Sequence, residues 1–175
     1  MVGTPRRLGL HQGTAVGGGL VIEVTQDIVI STNTGEVFAF ITDPERRSLL
    51  MPAAYEIDQL VVKPNGLYLA RSHVTGRRGT VVSIESELLE RVADRRTVGV
   101  QRTVPFRLGR CEALVIRDLE PVAGGTRLTT RVRFDIAPRL YGMYLSLLQH
   151  DKFMLSVHRA NEWLKDALEH PAPAT

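Results

Sequence analysis

The sequence predicts an α+β fold, a single antiparallel sheet covered by a long C-terminal helix. Three observations carry this. Short β-branched runs separated by turn residues follow one another from about residue 55 to residue 136. Residues 139–168 contain no proline and only Gly142, and apolar residues recur there at helical spacing. The chain is 175 residues long with a single cysteine, Cys111. That length fits one domain able to bury roughly two thirds of its unfolded surface without a disulfide or a metal.

In chain order, residues 1–19 hold six glycines and read as a flexible tail. Arg6-Arg7 is not followed by the apolar stretch an export signal needs, so a cytoplasmic location is expected. Val21 to Ile30 is the first strand. Asn33 followed by Glu36 has capping-box spacing, and Val37, Phe40 and Ile41 give residues 34–42 a helical apolar face. Asp43-Pro44 ends that helix, and Pro44 suits the first position of another, over 45–51.

Six more strands are expected. They are Tyr55 to Lys63, Leu67 to Thr75, Thr80 to Glu90, Thr97 to Phe106, Arg110 to Leu119 and Thr126 to Ile136. Pro64-Asn65-Gly66 and Gly124-Gly125 mark two of the turns. In the last strand Leu128, Thr130, Val132 and Phe134 alternate with Arg127, Thr129, Arg131 and Arg133, which fits a sheet with one covered face. The final helix is a rod of about 45 Å. Its stripe runs Leu140, Met143, Leu147, His150, Met154, Val157, Asn161, Leu164 and Leu168, with a second ridge of Tyr144, Leu148, Leu155 and Trp163. The domain spans 20–169, and 170–175 is expected to be disordered.

Composition narrows the function classes. The net charge is +3, and 19 of the 22 basic residues are arginines. Their pairs are scattered and have no interleaved aromatics, unlike a nucleic-acid surface. No apolar run is long enough to span a membrane as a helix. There is no Gly-x-Ser-x-Gly, no His-Glu-x-x-His and no metal-spaced Cys/His set, so no metal and no cofactor are expected. Cys111 reads as a small buried apolar residue.

Element order, the run Asn33 to Asp43 (NTGEVFAFITD), the Gly124 to Leu128 strand entry (GGTRL) and the closing helix together resemble the START-like, SRPBCC or helix-grip superfamily. The subgroup they resemble is the polyketide cyclase/dehydrase and lipid-transport group. The resemblance covers about 21–169. It implies a curved seven-stranded antiparallel sheet wrapped around the long helix, two short helices after the first strand, and a cavity between sheet and helix. Many relatives carry a Trp soon after the Asp-containing turn; here Ser48-Leu49-Leu50-Met51 stands there, which implies an aliphatic entrance.

What the resemblance implies is binding of a hydrophobic or amphipathic small molecule, lipid- or polyketide-like. The expected apolar lining is Phe40, Ile84, Val100, Val115, Val132, Phe134, Leu147 and Met154. Arg102, Thr130 and His150 supply the polar contacts. Arg102 shares an alternating row with Val98, Val100 and Val104, which would turn it inward. The rival reading is a cyclase, aromatase or dehydratase with His150 as general base and Arg102 as enolate stabiliser. A third is a non-catalytic regulatory or interaction domain with a filled core. Asn161 and His150 lie on the apolar stripe and need polar partners there. Arg71 and His73 face either way depending on register. Glu85 and Glu87 are expected to face water. Arg127, Arg131 and Arg133 form an outward basic row, either solvated or docking an acidic carrier. A homodimer stays open.

Overall fold

A computed structural model describes residues 12–14, 20–49, 55–75, 81–103, 110–137 and 139–170; the side chains of 12–14, 47–49, 55, 74, 110 and 139–153 lie outside the description. The strands are β1 (Gln12–Thr14), β2 (Leu20–Ile30), β3 (Tyr55–Val62), β4 (Tyr68–Thr75), β5 (Val81–Val92), β6 (Arg96–Thr103), β7 (Arg110–Val122) and β8 (Gly125–Ala137). The helices are α1 (Thr34–Thr42), α2 (Pro44–Leu49) and α3 (Arg139–Glu169). All pairings are antiparallel, in the order β1-β2-β8-β7-β6-β5-β4-β3.

The seven expected strands and three helices are all present. The sheet has an eighth strand, because Gln12–Thr14 pairs with Leu20–Ile22 inside the stretch expected to be a tail. An open strand edge offers unpaired amides and carbonyls to any chain beside it, and three residues are too few to show an alternating pattern. β7 continues through Pro121 to Val122, past the expected end at Leu119. Pro121 pairs with Thr126 at the mouth of the hairpin, a strand terminus that tolerates the missing amide.

Local chemistry sets the junctions. The Asn33 side chain accepts from the Glu36 amide at 2.9 Å and caps α1. Asp43 Oδ1 accepts from the Glu45 amide at 2.9 Å, so α1 stops and α2 starts on one residue. Gly125 is held at φ +150°, and a Cβ there would lie 2.0 Å from the Ile30 carbonyl oxygen. The adjacent Thr126 hydroxyl donates to the Thr32 carbonyl at 2.7 Å, tying the β7–β8 hairpin to the entry of α1.

Residues paired across strands share a face of the sheet, and neighbours along a strand alternate. The inner face is the one that α1 and α3 cover. There Ile28, Ile30, Leu119 and Leu128 pack with Val37, Phe38, Phe40 and Ile41 of α1 and Leu164 of α3. A second cluster joins Ile22, Val24, Ala113, Val115, Val132 and Ile136 to Val157 of α3. The α3 stripe is therefore buried at Val157, Asn161 and Leu164 as expected, whereas Leu155 and Trp163 of the second ridge are each 42% exposed. One stripe suffices because α3 lies along β2 and β8 with a single face. The stripe residues Leu140, Met143, Leu147 and His150 fall where side chains are outside the description.

Candidate functional site on the inner face

A buried polar chain separates the two apolar clusters. The Thr130 hydroxyl donates to Asn161 Oδ1 at 3.0 Å, and Asn161 Nδ2 donates to Gln26 Oε1 at 3.2 Å. Gln26 Nε2 lies 2.6 Å from His158 Nδ1 at the surface. Asn161 is only 2% exposed, and these bonds offset its desolvation. Asn161 is thus a satisfied core residue that fixes the height of α3 on the sheet, and Thr130 is its partner.

Register extends this row beyond the hydrogen-bonded part. Gln26 pairs with Thr130, Thr130 with Arg117, Arg117 with Thr97 and Thr97 with Arg91. A polar band therefore crosses the inner face from β2 to β5. Beside it, a small hollow is bordered by Tyr68, Ser86, Glu87, Thr97, Gln101 and Arg117, with Ile41 of α1 also at its border. Its free volume is about 10 Å³, room for about one water. Ser86 is 4% exposed, and its hydroxyl has no hydrogen-bond partner among the described residues. An orphaned buried hydroxyl costs about 1–3 kcal/mol.

The expected lining is distributed differently. Val115 and Val132 fill the second cluster against Val157, with Phe134 and Met154 at its margin. Phe40 fills the first. Ile84 faces inward beside Ser72 and Thr103. Of the expected apolar lining, Val115 and Val100 border the hollow. His150 and Leu147 belong to α3, their side chains outside the description.

Arg102 and Val100 are on the opposite face, which corrects the expected inward row. Gly99 and Gln101 are the partners of inward Val115 and Ala113, so Val100 and Arg102 pair with outward Leu114 and Glu112. Arg102 Nε donates to Glu112 at 2.8 Å and Nη1 lies 3.6 Å from Glu87. The Glu112 hydrogen bond raises the Arg102 pKa further above its ordinary value. A guanidinium held this way cannot stabilise an enolate inside the fold. Val100 is still only 5% exposed, which is why its row looks like a core row in sequence. The residues that do face the hollow, Thr97 and Gln101, look like a solvent row. The legible signal was Arg117, a charge between Val115 and Leu119 in an otherwise apolar alternation, together with Ser86 between Ile84 and Leu88.

The outer face is a set of cross-strand charge pairs. Arg71 donates to Glu85 at 2.9 Å, and His73 Nδ1 lies 2.8 Å from Asp58, so both residues face outward. Arg127 pairs with Glu120 at 3.0 Å and Arg131 with Asp118. The basic row is therefore largely neutralised, and exposed pairs of this kind add little stability. Glu85 and Glu87 are outward as expected. A wider hollow of about 640 Å³ opens on this face at the β3 bulge, beside Asp58, Gln59, Arg71 and Glu85. Its flanking charges already pair with one another.

Cys111 sits at the margin of the second cluster, and burial pushes its thiol up to about 11. It is a poor nucleophile at neutral pH. Among the described residues no group of three or more His, Cys, Asp or Glu side chains could hold a metal ion. No helix among them is long and apolar enough to cross a membrane.

No family model and no curated protein matches the chain. Solved structures do. The chain is similar to the aromatase/cyclase di-domain protein BexL from the BE-7585A biosynthetic pathway, with 16% identity over 87% of this chain and 51% of that one and a TM-score of 0.61. It is similar to StfQ, a di-domain aromatase/cyclase from the steffimycin pathway, at 16% identity over 88% and 53% with a TM-score of 0.62. An uncharacterised protein from Rhizobium leguminosarum matches at 15% identity over 83% and 95%, TM-score 0.62. The fold is therefore the helix-grip fold, and the chain spans about half of each di-domain protein.

Proposed function

We propose that the protein binds an amphipathic small molecule on the inner face of the sheet, at the polar hollow between α1 and β4–β7. The observation that carries this reading is Ser86, a buried hydroxyl without a hydrogen-bond partner among the described residues, at a hollow whose border also holds Tyr68, Glu87, Thr97, Gln101 and Arg117. Binding sites place a few converging polar groups in an apolar frame, and here the two packed clusters supply the frame. Beneath the described part of α3, Val157, Asn161 and Leu164 pack against β2 and β8. A lipid- or polyketide-like body with at least one polar group fits the reading.

The second reading is turnover of a polyketide-like substrate, favoured by the similarity to two aromatase/cyclase proteins. His150 would be the general base, as expected from sequence, and Arg117 would take the charge-stabilising role that Arg102 cannot.

Native mass spectrometry of the purified protein, with calorimetric titration of dodecanoate, dodecanol, 2-naphthoate and 2-naphthamide, tests the first reading. A co-purifying species or saturable binding to any of these supports it. An empty protein that binds none of them overturns it. Loss of turnover in His150→Ala with binding retained is the result expected of the second reading.

A further inference from the structure

The hollow on the inner face has charged neighbours of both signs, and both are already engaged. Glu87 borders it. By register Glu87 belongs to the outward row, between Leu69 and Val100. Its carboxylate lies 3.6 Å from Lys63 Nζ and 3.6 Å from Arg102 Nη1. Arg117 also borders the hollow and already interacts within the fold. A charged guest of either sign therefore meets a like charge at the border, and the opposite charge there is committed elsewhere. Taking an ion out of water without a counter-charge of its own is costly.

The unmet capacity is neutral. Among the described residues Ser86 Oγ is the one sealed hydroxyl without a hydrogen-bond partner. Other buried hydroxyls on this face are served from within the fold. Ser72 donates to the Ile84 carbonyl at 3.3 Å, and Thr130 to Asn161 at 3.0 Å. By register Ser86 stands between Ala70 and Gln101. Gly99, which has no side chain to fill the space, borders the same hollow, and a Cβ there would lie 3.1 Å from the Glu87 carbonyl oxygen. The free volume of about 10 Å³ suits one oxygen-bearing group, not the body of a ligand. A serine hydroxyl has one donor and two acceptor sites, so it can meet a carbonyl oxygen or another hydroxyl.

We infer that the hollow takes an uncharged oxygen group, the carbonyl or hydroxyl of a neutral amphipathic molecule hydrogen-bonded to Ser86, and discriminates against the carboxylate of the matching acid. This rests on the ligand-binding reading above and specifies its chemical class.

The test titrates two matched pairs calorimetrically into the full chain at neutral pH, 2-naphthamide against 2-naphthoate and dodecanol against dodecanoate. The neutral member of each pair is expected to bind at least about tenfold more tightly. Apolar partition also favours neutral compounds, but it does not depend on Ser86. Ser86→Ala is therefore the deciding variant. It is expected to weaken the neutral members about two- to tenfold, the range of one neutral hydrogen bond, and to weaken the acids less. With 2-naphthamide isotope-labelled at its carbonyl, the infrared stretch of the bound compound is expected at lower frequency in the wild type than in Ser86→Ala. Should Ser86→Ala not fold, Ser86→Cys, a weak donor of similar shape, serves the same comparison. Acids that bind as tightly as their neutral partners, or a neutral affinity and carbonyl stretch unchanged in the Ser86 variant, overturn the inference and leave the ligand-binding reading standing. An empty protein that binds none of these compounds overturns both.

Discussion

The strands beneath α3 and the strands at the far side of the sheet present different inner rows. β2, β7 and β8 show large aliphatic side chains, among them Ile22, Val24, Ile28, Leu119, Leu128 and Ile136, all buried. β4, β5 and β6 show Ala70, Ser72, Ser86, Thr97, Gly99 and Gln101 on the same face. The first half makes stability by filling space. The second half buries a smaller apolar cluster of Tyr68, Ala70 and Leu88 and keeps hydrogen-bonding groups beside a hollow. On the proposed ligand-binding reading the single sheet divides folding from recognition, and substitutions on the two halves should differ in kind.

The largest effect is expected at Leu128. It is 0% exposed and lies between Ile28 and Leu119 by register, in contact with the cluster that seats α1 and the end of α3. Leu128→Ala should cost about 2–5 kcal/mol, read as a lower urea midpoint with the slope unchanged. A loss under about 1 kcal/mol would mean that this half is not the filled one.

Next comes the polar chain. Asn161→Ala removes the partner of both the Thr130 hydroxyl and the Gln26 carbonyl. A loss of about 1–3 kcal/mol is expected from the groups left buried and unmet. Adding Thr130→Val should then cost little or return some stability, since one orphan is removed. The chain is a unit, so the double-mutant cycle should be strongly non-additive. Simple additivity in urea denaturation would show that Asn161 and Thr130 act separately.

These residues also show how much sequence could convey. The elements were legible because capping, turn chemistry and hydrophobic period agree: Asn33, Asp43, Gly125 and the α3 stripe are local signals with local causes. Asn161 was legible as a buried polar residue needing a partner, but not that the partner was Thr130, 31 residues away. The site was not legible on β6. There Val98 and Val100 lie on the outward row, beside Ile116 and Leu114, while inward Thr97 and Gln101 border a hollow. Binary alternation assigns faces by assuming that inside means apolar, and it inverts wherever a binding surface is inside. Alternation turns Arg102 inward for that reason, whereas Arg117 is the charge that interrupts a genuine core row.

A smaller effect is expected where α3 ends. Glu169 Oε1 accepts the Ser31 amide at 2.7 Å, clamping the last turn to the junction of β2 and α1. That bond, from the backbone amide to the carboxylate, holds the Glu169 pKa below its ordinary 4.5, with Lys165 and His170 adding to it. A depressed acid stabilises the fold above its unfolded pKa and loses that contribution as pH falls through the folded value. Wild type should therefore exceed Glu169→Gln in melting temperature above about pH 4.5, and the two curves should converge below it. A difference that stays constant down to pH 3 would show that the carboxylate charge is not what clamps the helix.

The smallest effect on stability is expected at Ser86, and its sign is the informative part. Its hydroxyl is buried and unpartnered, so the folded state already bears the desolvation of that group. Ser86→Ala removes the group and leaves its Cβ in place, so the unfolded chain loses solvated polar surface that the folded chain never used. Stability should be unchanged or rise by up to about 1 kcal/mol, while ligand binding at the hollow falls. A core serine that served packing alone would move neither quantity much, and one that made a structural hydrogen bond would lower stability. Gain or neutrality in melting temperature combined with loss of affinity is the signature of a residue kept for what enters the hollow, and a clear fall in melting temperature would place Ser86 with the filled half instead.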